Sequence, residues 1–82
     1  MKGDNNMVFE KVKEIIVATI SCDEDQVKLE ANLKEDLGID SLDATELSMA
    51  LEEEYGITIE MEELQGFVTV QNIVDFITEK TA

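Results

Sequence analysis

Val8, Val12, Ile15, Ile16, Thr19 and Ile20 recur at three- and four-residue steps and predict an amphipathic helix, with Glu10, Lys13 and Glu14 largely off its apolar stripe. The pattern then loosens. From Ser21 to Asp40 the apolar residues Val27, Leu29, Leu33, Leu37 and Ile39 are scattered, which predicts a long connection anchored over the core. A connection of that length often signals function. Periodicity resumes at about Ser41, and a second helix is expected to run to Tyr55 and stop at Gly56, because glycine tolerates the positive φ of a helix C-terminus. Glu60 to Gln65 has room for one or two helical turns ended by Gly66. Thr69 is expected to cap a last helix whose stripe is Val70, Ile73, Val74 and Ile77. There is no repeat, low-complexity run or linker, and without any Pro the glycines and caps are the only punctuation.

The second helix has an unusual wheel. At ~100° per residue, Ala44, Leu47, Ser48, Leu51 and Tyr55 share the face expected to meet the core. Leu42, Glu46, Met49 and Glu53 fall together on the opposite face, with Thr45 and Ala50 at its edges. Two large apolar residues therefore face solvent among carboxylates. Isolated exposed Leu or Met side chains are common and need no function. A docking strip, with acids steering a basic partner and Leu42 and Met49 supplying the desolvated contact, explains the pattern equally well. Ser48 on the inner face either bonds back to the carbonyl of Ala44 or marks a slightly roomy, slightly polar interior.

Composition narrows the choices. Eighty-two residues make one small domain. The 44% hydrophobic fraction argues against a disordered acidic tail, and the few aromatics (Phe9, Tyr55, Phe67, Phe76) imply an aliphatic core. A net charge of -14 argues against nucleic acid or an anionic membrane as partner and favours proteins with basic surfaces. Cys22 has no second cysteine to pair with and reads as a small apolar residue at the end of the first helix. No apolar run approaches the ~20 residues of a membrane span and no secretory signal is visible, so a cytoplasmic location is expected. Residues 1–6 are polar and are expected to be a leader or disordered terminus, leaving 7–82 as the domain. With no His, Arg or Trp and no metal-ligand cluster, the chain lacks the parts of an enzyme: no catalytic residue and no metal ligand is assigned.

One segment stands apart: Asp36-Leu37-Gly38-Ile39-Asp40-Ser41-Leu42-Asp43. A serine opens a helix between two acids, directly after a glycine-containing loop. Capping accounts for part of this, since Asp is a favoured N-cap and Asp43 suits the positive end of the helix dipole. Capping requires neither Gly38 nor an exposed Leu42. Alternatively, Ser41 bears a phosphate ester placed near the unpaired N–H groups of the helix start. The flanking acids would repel that phosphate, so they suit a modifying enzyme's grip better than ligation of the group.

With Glu46-Leu47 and Met49-Ala50-Leu51-Glu52-Glu53-Glu54-Tyr55-Gly56 added, this segment resembles the acyl carrier proteins of dissociated (type II) bacterial fatty acid synthesis. Asp40-Ser41-Leu42 matches that family's attachment motif for 4′-phosphopantetheine. The similarity extends over almost the whole chain from Met7, through Val12-Lys13 and Ile15-Ile16 to Thr69-Val70-Gln71 and Asp75-Phe76-Ile77. The resemblance implies an all-α four-helix bundle, three longer helices plus a short third one, with a long first loop. It also implies a covalent 4′-phosphopantetheine on Ser41, carrying acyl groups as thioesters. By the same resemblance Asp40, Leu42, Asp43, Glu46, Met49, Glu52 and Glu53 form the helix read by partners. These would be a phosphopantetheinyl transferase (holo-acyl carrier protein synthase), using coenzyme A and magnesium, and fatty acid synthesis enzymes with basic docking patches. The carrier would be a monomer that neither binds nucleic acid nor inserts in a membrane.

The chain departs from the family pattern in places. Ile59 is followed by Glu60, Met61 and Glu62 where Ile-Pro-Asp-Glu is common, and Gln65 replaces a usual acid. Thr45 and Ser48 stand at usually apolar positions, so a less greasy or differently shaped acyl cavity, with a different chain-length preference, is expected. Carriers of the same fold for polyketide, peptide or D-alanine transfer are the nearest alternative, though the full acidic helix favours the fatty acid type. A calcium protein fits poorly, because Asp23 and Asp25 are followed by Val27 and Lys28 where an EF-hand loop needs an acid or Asn and then Gly. An adaptor bundle with a merely solvated acidic face is the third reading.

Overall fold

A computed structural model describes residues 4–81. Four helices follow in order: α1 (Asp4–Ile20), α2 (Ser41–Tyr55), α3 (Met61–Gln65) and α4 (Val70–Thr81), with a single 3-10 turn at Glu24–Gln26 inside the long first connection. The all-α bundle with three longer helices and a short third one matches the expected architecture. Helix α1 begins at Asp4 and so takes in part of segment 1–6; residues 1–3 of that segment lie outside the described residues.

Helix α1 packs against both α2 and α4, and α3 packs against α2. The interior is aliphatic: Val12 and Ile16 from α1, Leu47 and Leu51 from α2, and Val70, Ile73, Val74 and Ile77 from α4 are all buried. Helix α1 ends where Ser21 takes a left-handed φ of 57° and gives its N–H to Val17 O at 2.8 Å. Cys22 just beyond it is half-buried, and burial pushes its thiol pKa up, in keeping with a small apolar role.

The long connection is laid over the core by its apolar anchors. Val27, Leu33 and Ile39 are buried as expected and Leu37 is partly so. Leu29 is not: its side chain is exposed, and Ala31 takes the buried position instead. The physical reason lies in the backbone. The Leu29 carbonyl accepts from Gln71 N–H at 2.9 Å, the Ala31 carbonyl accepts from Val70 N–H at 3.1 Å, and Leu33 N–H donates to Val68 O at 2.9 Å. Asn32 and Thr69 thus form an antiparallel bridge, and the loop backbone satisfies amides at the head of α4 that have no partner inside the helix. Thr69 holds the cap position, but the side-chain cap comes from Asn72, whose Oδ1 accepts from Val68 N–H at 2.9 Å and Thr69 N–H at 3.0 Å.

Candidate functional site

The site is built on the turn that delivers the chain to α2. Asn32 Oδ1 accepts from Lys34 N–H at 2.9 Å and Glu35 N–H at 2.8 Å, while Asp36 Oδ2 accepts from Asn32 N–H at 2.7 Å. These reciprocal bonds lock the loop by the side-chain mimicry common to Asn and Asp turns. Gly38 then adopts φ 69°, which turns Ile39 back so that its N–H reaches Leu33 O at 2.8 Å. Gly38 therefore has a structural task after all, since a side chain there would be strained by the left-handed backbone although space is open around it.

Asp40 caps α2, its Oδ1 accepting from Asp43 N–H at 2.9 Å. Ser41, at the first helical position, is exposed and leaves the capping to Asp40. Its side chain stands at the positive end of the α2 dipole, where an ester-linked phosphate is electrostatically favoured. The helix runs to Tyr55 and ends on Gly56 at φ 65°, whose N–H donates to Glu52 O. Both limits agree with the sequence pattern.

Beneath Ser41 lies a cavity of about 520 Å³. Its wall runs from Asp40 and Ser41 along the inner face of α2 through Thr45, Ser48 and Leu51, and is closed by Leu33 and Ile39 of the loop, Met61 and Leu64 of α3, Phe67, and Ile73 of α4. Ser48 is 7% exposed, the one polar side chain that is buried among the described residues. Its hydroxyl donates to Thr45 O at 2.8 Å and not to Ala44 O, the first of the two alternatives the sequence left open, while the Thr45 hydroxyl donates to Ser41 O at 3.0 Å.

The outer face of α2 is as the wheel placed it. Leu42 is 68% and Met49 59% exposed, between exposed Glu46 and Glu53. Asp43 is half-buried in the first turn. Glu52 differs from its neighbours: it is half-buried, and its Oε2 accepts from Ile59 N–H at 2.8 Å. Its carboxylate is thus engaged inside the molecule, against the expectation that it faces partners like Glu53.

Sequence periodicity missed the part of the cavity contributed by α3 and the α3–α4 connection. Met61, Leu64 and Phe67 lie on a helix too short to show a stripe and on the turn after it. The helical turns expected at Glu60 to Gln65 are found as α3, and the signal for the cavity wall was the apolar Met61, Leu64 and Phe67 in and just after that segment.

Among the described residues no group of His, Cys, Asp and Glu side chains is arranged to hold a metal ion, and no helix is long and apolar enough to cross a membrane. Comparison with known proteins matches residues 10–77 to the family described as "Phosphopantetheine attachment site". The chain is 55% identical over 73 residues to the acyl carrier protein of Petrotoga mobilis, covering 89% of this chain and 86% of that protein. It is 49% identical over 74 residues to the acyl carrier protein of Clostridium perfringens, covering 90% and 97% respectively. Against the acyl carrier protein of Aster yellows witches'-broom phytoplasma it is 47% identical over 76 residues, covering 93% of this chain and 100% of that protein.

Proposed function

This chain belongs to the phosphopantetheine-attachment family that includes the acyl carrier proteins, and from that premise we propose that Ser41 bears the arm and that the outer face of α2 presents it to partner enzymes. The protein is a carrier of acyl groups and not an enzyme, working with the enzymes of fatty acid synthesis.

The observation that carries the assignment is the position of Ser41. It is an exposed hydroxyl at the first turn of α2, next to the cavity and free of the capping bond that Asp40 supplies. The residues present fit the group: the hydroxyl oxygen is open to phosphoryl transfer, the helix dipole favours the resulting phosphodiester, and an apolar cavity begins beside it. When bound, 4′-phosphopantetheine supplies a thiol that holds acyl groups as thioesters. In attachment the Ser41 oxygen forms the new bond to the phosphorus next to the pantetheine of coenzyme A, the pyrophosphate P–O bond breaks, 3′,5′-ADP leaves and the Ser41 proton passes to a base. In this reading the phosphopantetheinyl transferase supplies the magnesium and the base.

Partner reading follows from the same helix. Asp40, Asp43, Glu46 and Glu53 give α2 a negative field that steers basic patches, and Leu42 and Met49 offer apolar contacts that desolvate on docking. Glu52 contributes charge to that field while its bond to Ile59 holds the approach to α3 in place.

Incubation with coenzyme A, magnesium and a phosphopantetheinyl transferase, followed by intact mass measurement, tests the assignment. The expected result is a gain of one phosphopantetheine in the wild-type chain and none in Ser41→Ala. A wild-type chain that takes up no group would leave the adaptor reading standing.

A further inference from the structure

We propose that Ser48 determines cargo specificity, making the cavity favour acyl chains that bear a hydroxyl group over chains of equal length that bear an oxo group. The proposal rests on the carrier reading above and names the kind of cargo that this cavity suits.

Ser48 is 7% exposed and lies in the cavity wall. A serine hydroxyl has one proton to donate and two lone pairs that accept. Here the proton is already committed to Thr45 O at 2.8 Å. Thr45, in the same wall, has committed its own proton to Ser41 O at 3.0 Å. What these two side chains offer a guest is acceptance alone. A guest hydroxyl has a proton to give and completes a hydrogen bond at Ser48 without disturbing the helix. An oxo group has only lone pairs, so Ser48 could serve it only by withdrawing its proton from Thr45, exchanging one bond for another with no net gain. The lining also holds Lys34 and Gln65, whose N–H groups can serve either guest, so the preference is Ser48's own contribution at its place in the wall, where an oxo group left without a partner is penalised. A saturated chain asks nothing of Ser48, whose donated bond is already made. A valine-like residue here would erase the difference that Ser48 makes between hydroxyl and oxo cargo, because at that place in the wall neither would find a partner.

The experiment attaches octanoyl, 3-, 5- or 7-hydroxyoctanoyl, and the matching oxooctanoyl chains to the full chain through phosphopantetheine. Intact mass verifies each loading first, so failure of Ser41 as the attachment site is seen before any melt is recorded. At one or more positions the hydroxyl-bearing carrier should melt above its oxo counterpart by roughly 4–8 °C. The gap should vanish in Ser48→Val, and also in Ser48→Ala should the valine variant fold poorly, and it should return in Ser48→Thr, which restores a hydroxyl. A purely structural serine would shift all loaded forms together and leave the gap intact. Equal melting of every hydroxyl and oxo pair, or a gap that persists in Ser48→Val, overturns the proposal.

Discussion

The carboxylate of Glu52 accepts the backbone N–H of Ile59 at 2.8 Å, joining the last part of α2 to the segment that leads into α3. Ile59 is buried, so its amide has little access to water as a substitute partner. Two adjacent acids on one helix thus have separate tasks. Glu52 holds the fold, whereas Glu53 is exposed to whatever approaches.

Truncation should separate them. Glu52→Ala is expected to lower unfolding free energy by roughly 1–2 kcal/mol, the cost of a buried amide losing its acceptor. Glu53→Ala should stay within about 0.5 kcal/mol of wild type. Urea denaturation of both variants checks this, and equal losses would show that the Ile59 bond contributes nothing.

Ser41→Ala should remove the phosphopantetheine gain in an intact mass measurement and leave the melt nearly unchanged, because the Ser41 side chain does not cap the helix. Asp40→Ala should do the reverse to stability, costing about 1 kcal/mol as the bond to Asp43 N–H is lost. Asp40→Asn should recover most of that loss while lacking the charge.

Leu42→Ala and Glu46→Lys are each expected to weaken binding to a fatty acid synthesis enzyme with little change in the melt, since both side chains are exposed. Leu42→Ala should raise the dissociation rate and Glu46→Lys should chiefly slow association. Surface plasmon resonance at two salt concentrations resolves the two. A Glu46→Lys effect that did not shrink with salt would contradict the steering role.

With a net charge of -14, the folded chain repels itself. Its melting temperature should rise with added sodium chloride, and more steeply with magnesium chloride, as screening shortens the reach of that repulsion to about 10 Å at 0.1 M. A calorimetric scan series across ionic strength tests this, and a flat response would rule it out.

Much of this was legible in the sequence because helices announce themselves through spacing and ends. Ser41 to Tyr55 was readable from an Asp before it, a Gly after it and a stripe between, and all three features act within one element. Misreadings arose where a partner lay far away in the chain. Leu29 looked like an anchor until its carbonyl was drawn to Gln71, which turned the side chain outward and gave Ala31 the buried place. Thr69 looked like a side-chain cap, yet the first amides of α4, Val70 and Gln71, are taken by the distant carbonyls of Ala31 and Leu29. Glu52 and Glu53 are indistinguishable on a helical wheel, and only the return of the chain at Ile59 divides them. The third helix was placed by its ends, but at five residues it shows no stripe to say that Met61 and Leu64 face the cavity.

The pairing of the first loop with the head of α4 also governs how this molecule can open. Leu33, Val70 and Gln71 donate their amides across that junction, and their acceptors are remote in sequence. Closing contacts this remote in sequence costs loop entropy, so they are expected to form after the local helices. They should also be lost as one event, so native-state hydrogen exchange should report one shared opening free energy for the three amides. Widely different values would mean that the loop frays by itself. Leu33 and Ile73 wall the cavity from the two sides of this junction, so the same shared opening would also widen the cavity.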